Sequence, residues 1–161
     1  MAPSILSDNT IADWLEKWAN ETPDRECIVY SDRDFRLTWK ETDTRVNNMA
    51  KGMLAVGIKP GHHVGIWATN VPDWLIILYA CAKIGAIAVT VNTNYKQNEL
   101  EYLCQNADLN ALFIIDGTWE SDFVDMTYTM LPELKTSQRG HINSDKFPLL
   151  KTVVYIGYEK H

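Results

Sequence analysis

The chain has 161 residues, 46% of them hydrophobic and 22% charged, with a formal net charge of −6 at pH 7. That supplies one sizeable core and is too apolar for a disordered tail, so a single domain over residues 1–161 is expected. The acidic balance, with no stripe of Lys and Arg, argues against a nucleic-acid surface, which needs clustered cations to neutralise phosphates.

Met1-Ala2-Pro3-Ser4 lacks the basic stretch and apolar core of a secretory leader. The longest apolar run stops at Lys83, short of the ~20 residues that cross a bilayer, so a cytoplasmic protein without a transmembrane segment is expected. Thr10 and Asp13 have the spacing of an N-cap and its acidic partner, and Ile11, Trp14, Leu15, Trp18 and Ala19 recur at helical spacing up to Pro23. On that period the two tryptophans are core anchors. Cys27–Tyr30 and Phe35–Thr38 flank a polar turn and predict an antiparallel hairpin. Thr38 and Glu41 form a second capping box, opening a helix that carries Trp39, Val46, Met49, Ala50, Met53 and Leu54 inward and stops at Gly57.

The run from Val64 to Asn94 organises the chain. Val64–Ala68 is an uninterrupted apolar strand of the kind covered on both faces. Pro72 and Asp73 suit the first turn of a helix, every residue from Trp74 to Ala82 is apolar, and Gly85 sits where a left-handed cap belongs. Ile87–Val91 is a second strand, parallel to the first as the intervening helix requires. A helix with Leu100, Leu103, Cys104 and Ala107 leads to a buried strand at Ala111–Ile115. Trp119, Phe123, Met126 and Met130 predict one more helix, ending near Pro132. Lys135–Lys146 is polar and without period, as in a mobile surface loop, and Leu149–Ile156 reads as the last strand. The expected fold is therefore α/β: a doubly wound, mostly parallel sheet with helices on both faces and an N-terminal antiparallel hairpin.

In such sheets ligands gather beyond the carboxyl ends of the strands. Three polar breaks fall there: Thr69-Asn70, Asn92-Thr93-Asn94 and Asp116-Gly117-Thr118. The same residue types also cap helices. The adjacent His62 and His63 lack a third nearby ligand, and Cys27, Cys81 and Cys104 have no CxxC spacing, so neither a metal site nor a redox pair is expected. No nucleophile triad or nucleotide-binding glycine motif is present, and no catalytic residue is assigned. A stand-alone flavodoxin-like nucleotide-binding or regulatory module and a structural, partner-binding domain both fit this pattern. A large apolar patch closing into a homodimer would mark the latter.

Two stretches go further. Leu37–Thr42, continued by Ala50, Gly52, Leu54 and Gly57–Gly61, resembles the first core motif of the AMP-binding, adenylate-forming enzymes. Ala82–Asn92, with Glu99-Leu100 and Asn106–Asp108, resembles the second. Asn70 with Trp74, and Phe147–Lys151, bring the likeness nearest to the acyl-CoA synthetase branch, over about Thr10 to Ile156. His62-His63 departs from that pattern, which has an acidic residue after the glycine.

The resemblance implies an N-terminal subdomain of a ligase in which a carboxylic acid, such as a fatty acid, attacks the α-phosphate of ATP with Mg2+. The acyl-adenylate then passes its acyl group to the thiol of coenzyme A. The phosphate loop and catalytic lysine that the resemblance requires are not found in the sequence, and Lys83, Lys151 and Lys160 match neither motif. The chain is thus expected to be the inactive N-terminal part of a longer polypeptide, with the remainder as its partner. By the same resemblance, Asn92, Thr93, Asn94, Asp116, Gly117 and Thr118 lie toward the coenzyme A side.

Overall fold

The computed structural model describes residues 8–157. Helix α1 (Ile11–Glu21) begins at Thr10, whose hydroxyl accepts from Asp13 N at 3.2 Å while the Asp13 carboxylate accepts from Thr10 N at 2.7 Å. Strands β1 (Glu26–Tyr30) and β2 (Phe35–Thr38) pair antiparallel through a turn in which Asp34 takes φ 48°. Helix α2 (Trp39–Ala55) opens with the same reciprocal cap, Glu41 N to Thr38 Oγ1 at 3.2 Å and Thr38 N to Glu41 Oε2 at 2.8 Å. The backbone and hydroxyl hydrogen bonds from Thr10 and Thr38 hold the Asp13 and Glu41 carboxyls below the usual carboxylate range.

Four parallel strands form the central sheet: β3 (His63–Trp67), β4 (Ile87–Thr90), β5 (Leu109–Ile114) and, after two short strands taken up below, β8 (Thr152–Tyr155). Their spatial order is β4-β3-β5-β8. Alternation along the strands divides the interior into two cores. Val64 and Ile66 of β3, Ala111 and Phe113 of β5 and Val154 of β8 face α1, α2 and α3 (Pro72–Ile84). Trp67, Leu112 and Ile114 face α4 (Gln97–Asn106) and α5 (Phe123–Met130). Helices therefore cover both faces. α3 has Pro72 at its start and Gly85 at φ 70° as its cap, and none of its residues is exposed.

Several side chains depart from the expected pattern. α1 buries Ala12 and Leu15, while Trp14 and Trp18 lie at the margin of that stripe and are exposed. Lys17 Nζ lies 4.7 Å and 5.7 Å from their ring centroids, a cation–π arrangement that uses the rings from outside the core. Leu54 is likewise exposed. Trp119 is not helical: it sits in the turn between β6 (Gly117–Thr118) and β7 (Ser121–Asp122), 94% exposed, and α5 starts only at Phe123 because Asp122 caps it. The segment from Lys135 to Lys146 lies on the surface, as expected, but is pinned rather than mobile. Ile142 and Ser144 are buried, and Ile142 N donates to Lys151 O at 3.1 Å.

One charged side chain joins the first three helices. Lys83 of α3 meets Glu16 of α1 at 2.5 Å and Asp43 of α2 at 3.0 Å, with its own side chain only 10% exposed. Burial disfavours the ammonium, but the hydrogen bonds and charges of Glu16 and Asp43 outweigh it and raise the Lys83 pKa. A raised amine pKa stabilises the fold fully below the unfolded value and loses that contribution as pH climbs through the folded one. Lys83→Met should therefore cost about 1–2 kcal/mol in urea unfolding near neutrality, and the gap from wild type should shrink in strongly alkaline buffer.

Candidate functional site

The order of the sheet fixes where its winding reverses. β3 has β4 on one side and β5 on the other. The first crossover, through α3, uses one face and the second, through α4, uses the opposite face. The chain thus reverses direction at β3 and β5, and the crevice outside their carboxyl ends is the topological switch point. Ala68-Thr69-Asn70 borders it from β3 and Asp116-Gly117-Thr118 from β5. Beneath lies Trp67, stacked on Phe123 with centroids 3.8 Å apart and planes 10° from parallel. Asn92-Thr93-Asn94 ends β4 on the far side of β3. Both predicted triplets therefore reach the same edge of the sheet, but only one borders the switch point.

Their local roles differ. Asn92 turns its carboxamide onto its own chain, accepting from Asn94 N at 2.9 Å, while its carbonyl accepts from Tyr95 N at 3.1 Å. It makes an Asx turn. The cap of α4 falls instead to Lys96, whose N–H donates to Glu99 Oε2 at 2.9 Å. Asp116 accepts a short hydrogen bond from the Tyr155 hydroxyl, and its carbonyl accepts from Phe123 N at 2.9 Å. Gly117 takes φ 148°, and a Cβ there would lie 2.1 Å from Ser121 O. Only a residue without a side chain lets the two short strands close. Thr118 Oγ1 accepts from Glu120 N at 3.3 Å, and Lys96 Nζ donates to Ser121 Oγ at 2.8 Å, tying together the loops that carry the triplets. Tyr155, Lys96 and Ser121 escape sequence reasoning because their partners lie 25 to 39 residues away.

The six residues carry one carboxylate and no cation. A triphosphate needs cations or a nest of backbone N–H groups, so these side chains do not by themselves fit ATP. Uncharged amide and hydroxyl groups at a strand edge suit a neutral, hydrogen-bonding part of a ligand. Elsewhere, His63 Nδ1 lies 2.5 Å from Ala107 O, and burial pushes the Cys81 thiol up to about 11 and Cys104 to about 12. Among the described residues no group of three or more His, Cys, Asp or Glu is arranged to hold a metal ion, and no helix is long and apolar enough to cross a membrane.

The family model of the AMP-binding enzymes matches residues 15–156. The chain belongs to that family. Among curated relatives, the chain is 42% identical over 155 residues to YngI of Bacillus subtilis (strain 168), provisionally named an acyl-CoA synthetase, covering 96% of the chain and 28% of YngI. It is 32% identical over 149 residues to the mitochondrial medium-chain acyl-CoA ligase ACSF2 of Danio rerio, covering 92% of the chain and 25% of that protein. A provisionally named long-chain-fatty-acid CoA ligase from Rhodopseudomonas palustris CGA009 superposes with a TM-score of 0.77 at 23% identity, over 96% of the chain and 34% of its own. The fold is that of the N-terminal domain of adenylate-forming enzymes. The chain spans about a quarter of the length of the curated relatives it matches.

The hairpin after β5 gives a direct test of the rim's geometry. Gly117→Ala should lower unfolding stability by at least about 2 kcal/mol, because the backbone it strikes has no flexible end to move aside. Gly52→Ala, in α2 with open space around it, should raise stability by roughly 0.5–1 kcal/mol on helix propensity alone. Urea titration of the two variants checks both signs.

Proposed function

We propose that this chain is the N-terminal part of an ATP-dependent acyl-CoA synthetase that joins a carboxylic acid, of the fatty-acid class, to coenzyme A through an acyl-adenylate. The observation that carries this reading is the family match over residues 15–156 in a chain spanning about a quarter of relatives named as acyl-CoA ligases. The reaction needs ATP, Mg2+ and coenzyme A, and it needs cations or backbone donors that stabilise charge developing on the phosphate. In this reading those groups belong to the remainder of the polypeptide.

Two features of the fold support the division. β4 and β8 each pair on one side only among the described residues, so the sheet offers two edges for further strands. Trp119 projects from its hairpin at the ligand-entry edge, placed to be covered by another part of the enzyme. On this proposal Asn92, Thr93, Asn94, Asp116, Gly117 and Thr118 face coenzyme A, the first three as hydrogen-bonding amide and hydroxyl groups and Gly117 as the pivot of the loop. The enzyme acts in the cytoplasm.

Carboxylate-dependent exchange of pyrophosphate into ATP tests the proposal. The longer polypeptide should catalyse exchange with fatty acids, and the 161-residue chain should show none above background. Exchange by this chain alone would contradict it, as would a longer polypeptide that forms no acyl-adenylate from any carboxylic acid.

A further inference from the structure

At the opposite end of the sheet lies a cavity of about 420 Å³, walled by the turn that follows α2, the start of each of three strands and the loop before β8. His62 precedes β3, Asn110 is the second residue of β5 and Lys151 precedes β8, so the cavity sits at the amino ends of the strands. The length of the strands, roughly 15–20 Å, separates it from the switch-point crevice.

Its charge runs against that of the chain. Acids outnumber Lys and Arg by 21 to 15 overall, yet the lining holds Lys59, Arg139 and Lys151 with His62 and His141, and no carboxylate. Ion pairs among the described residues engage Arg36, Lys83 and Lys146, and none engages these three cations. Unpaired cations gathered in a concave site raise the local concentration of anions.

The floor adds directed donors. Thr152 is 5% exposed, and its hydroxyl has no hydrogen-bond partner among the described residues. The hydroxyl is not sealed from solvent, so it is free to donate to whatever occupies the cavity. The Asn110 carboxamide is oriented by His63 N, which donates to its Oδ1 at 2.8 Å, leaving both amide hydrogens of Nδ2 to donate elsewhere. The walls are fixed by Lys151 N donating to Asn110 O at 2.9 Å and by Ile142 N donating to Lys151 O at 3.1 Å. A water can meet the hydroxyl; the three exposed cations, without a counter-charge, favour an anion of more than one negative charge. Ala55, Val56 and Leu149 add an apolar flank, and the volume falls in the usual range of small-molecule sites.

We propose that this cavity binds a small soluble phosphate-bearing dianion, clamped by Arg139, Lys59 and Lys151 over the Thr152 hydroxyl and the Asn110 amide. The site is independent of acyl activation, and its test measures binding alone. In the full protein that carries this chain, inorganic phosphate and pyrophosphate titrated at low ionic strength should bind saturably, with amide shifts concentrated at Asn110, Gly140 and Thr152. Arg139→Gln with Lys151→Gln should weaken binding roughly tenfold or more. Lys17→Gln with Lys40→Gln, which removes the same charge elsewhere, should weaken it less than about twofold. Thr152→Val, which keeps the shape, should weaken it several-fold.

Absence of saturable binding at about 10 mM would overturn the proposal, as would equal losses in the two double variants. Shifts clustering at the carboxyl ends of the strands would also overturn it. Phosphatidylcholine vesicles containing phosphatidic acid separate the sources. Sedimentation with them in place of saturable binding of the free anions would overturn the soluble ligand in favour of a lipid headgroup.

Discussion

The close packing of β5 side chains on β3 uses a missing side chain. A Cβ on Gly65, at the middle of β3, would lie 2.8 Å from Leu109 Cδ1 and 2.9 Å from Leu112 Cδ1 of the neighbouring strand. The two leucines fill that space from β5 and seal the second core where the strands pair. β3 is covered on both faces, with Val64, Ile66 and Trp67 at 0% exposure. Its two neighbours must then connect over opposite faces, because one crossover helix already occupies each side.

That requirement places the switch point. α3 has no polar side to turn outward, so it lies between the sheet and the pair α1 and α2, and its charged end is neutralised there by Glu16 and Asp43. α4 and α5 are left to cover the other face. The reversal between β3 and β5 follows, with the Trp67–Phe123 stack buried beneath that edge. The loop after β5 can fold back as a tight hairpin only because Gly117 admits the Ser121 carbonyl, so the shape of the rim is set by backbone contact.

What the sequence reveals is governed by distance along the chain. Both capping boxes, the proline and glycine at the ends of α3 and the turn at Asp34 involve residues at most a few positions apart, and each was legible before the fold. The parallel sheet was legible too, since long apolar strands alternating with helices leave few other arrangements. Trp14 and Trp18 fall outside the core that their spacing predicts, because a helical period defines a face but not how far the buried stripe extends. Leu15 and Ala12 take the centre, and the indoles fall at the margin. Trp119 shares the spacing of the helix that follows it, and only the pairing of Gly117–Thr118 with Ser121–Asp122 removes it from that helix. Ile142 lies in a polar stretch whose anchoring comes from Lys151. At the rim, the triplets were visible as breaks, while the hydrogen bonds that define them reach Tyr155 and Ser121 across spans that no local pattern encodes.

Helix polarity sharpens the contrast between the two ends of the sheet. α2, α3 and α4 all terminate at the amino edge of the strands they lead into, so three negative dipole ends gather there and favour cations by about 0.3–1 kcal/mol each. This accounts for Lys59, four residues past the end of α2. Arg139 and Lys151 follow no such terminus: one sits in the loop pinned by Ile142 and the other at the start of β8. An anion at this edge must also overcome the dipoles that repel it, which a single cation near a helix end does not do. Three converging cations with no carboxylate on the wall reverse the sign of the site, whereas the opposite edge, facing helix N-termini, already favours negative charge and carries no such cluster in its two triplets.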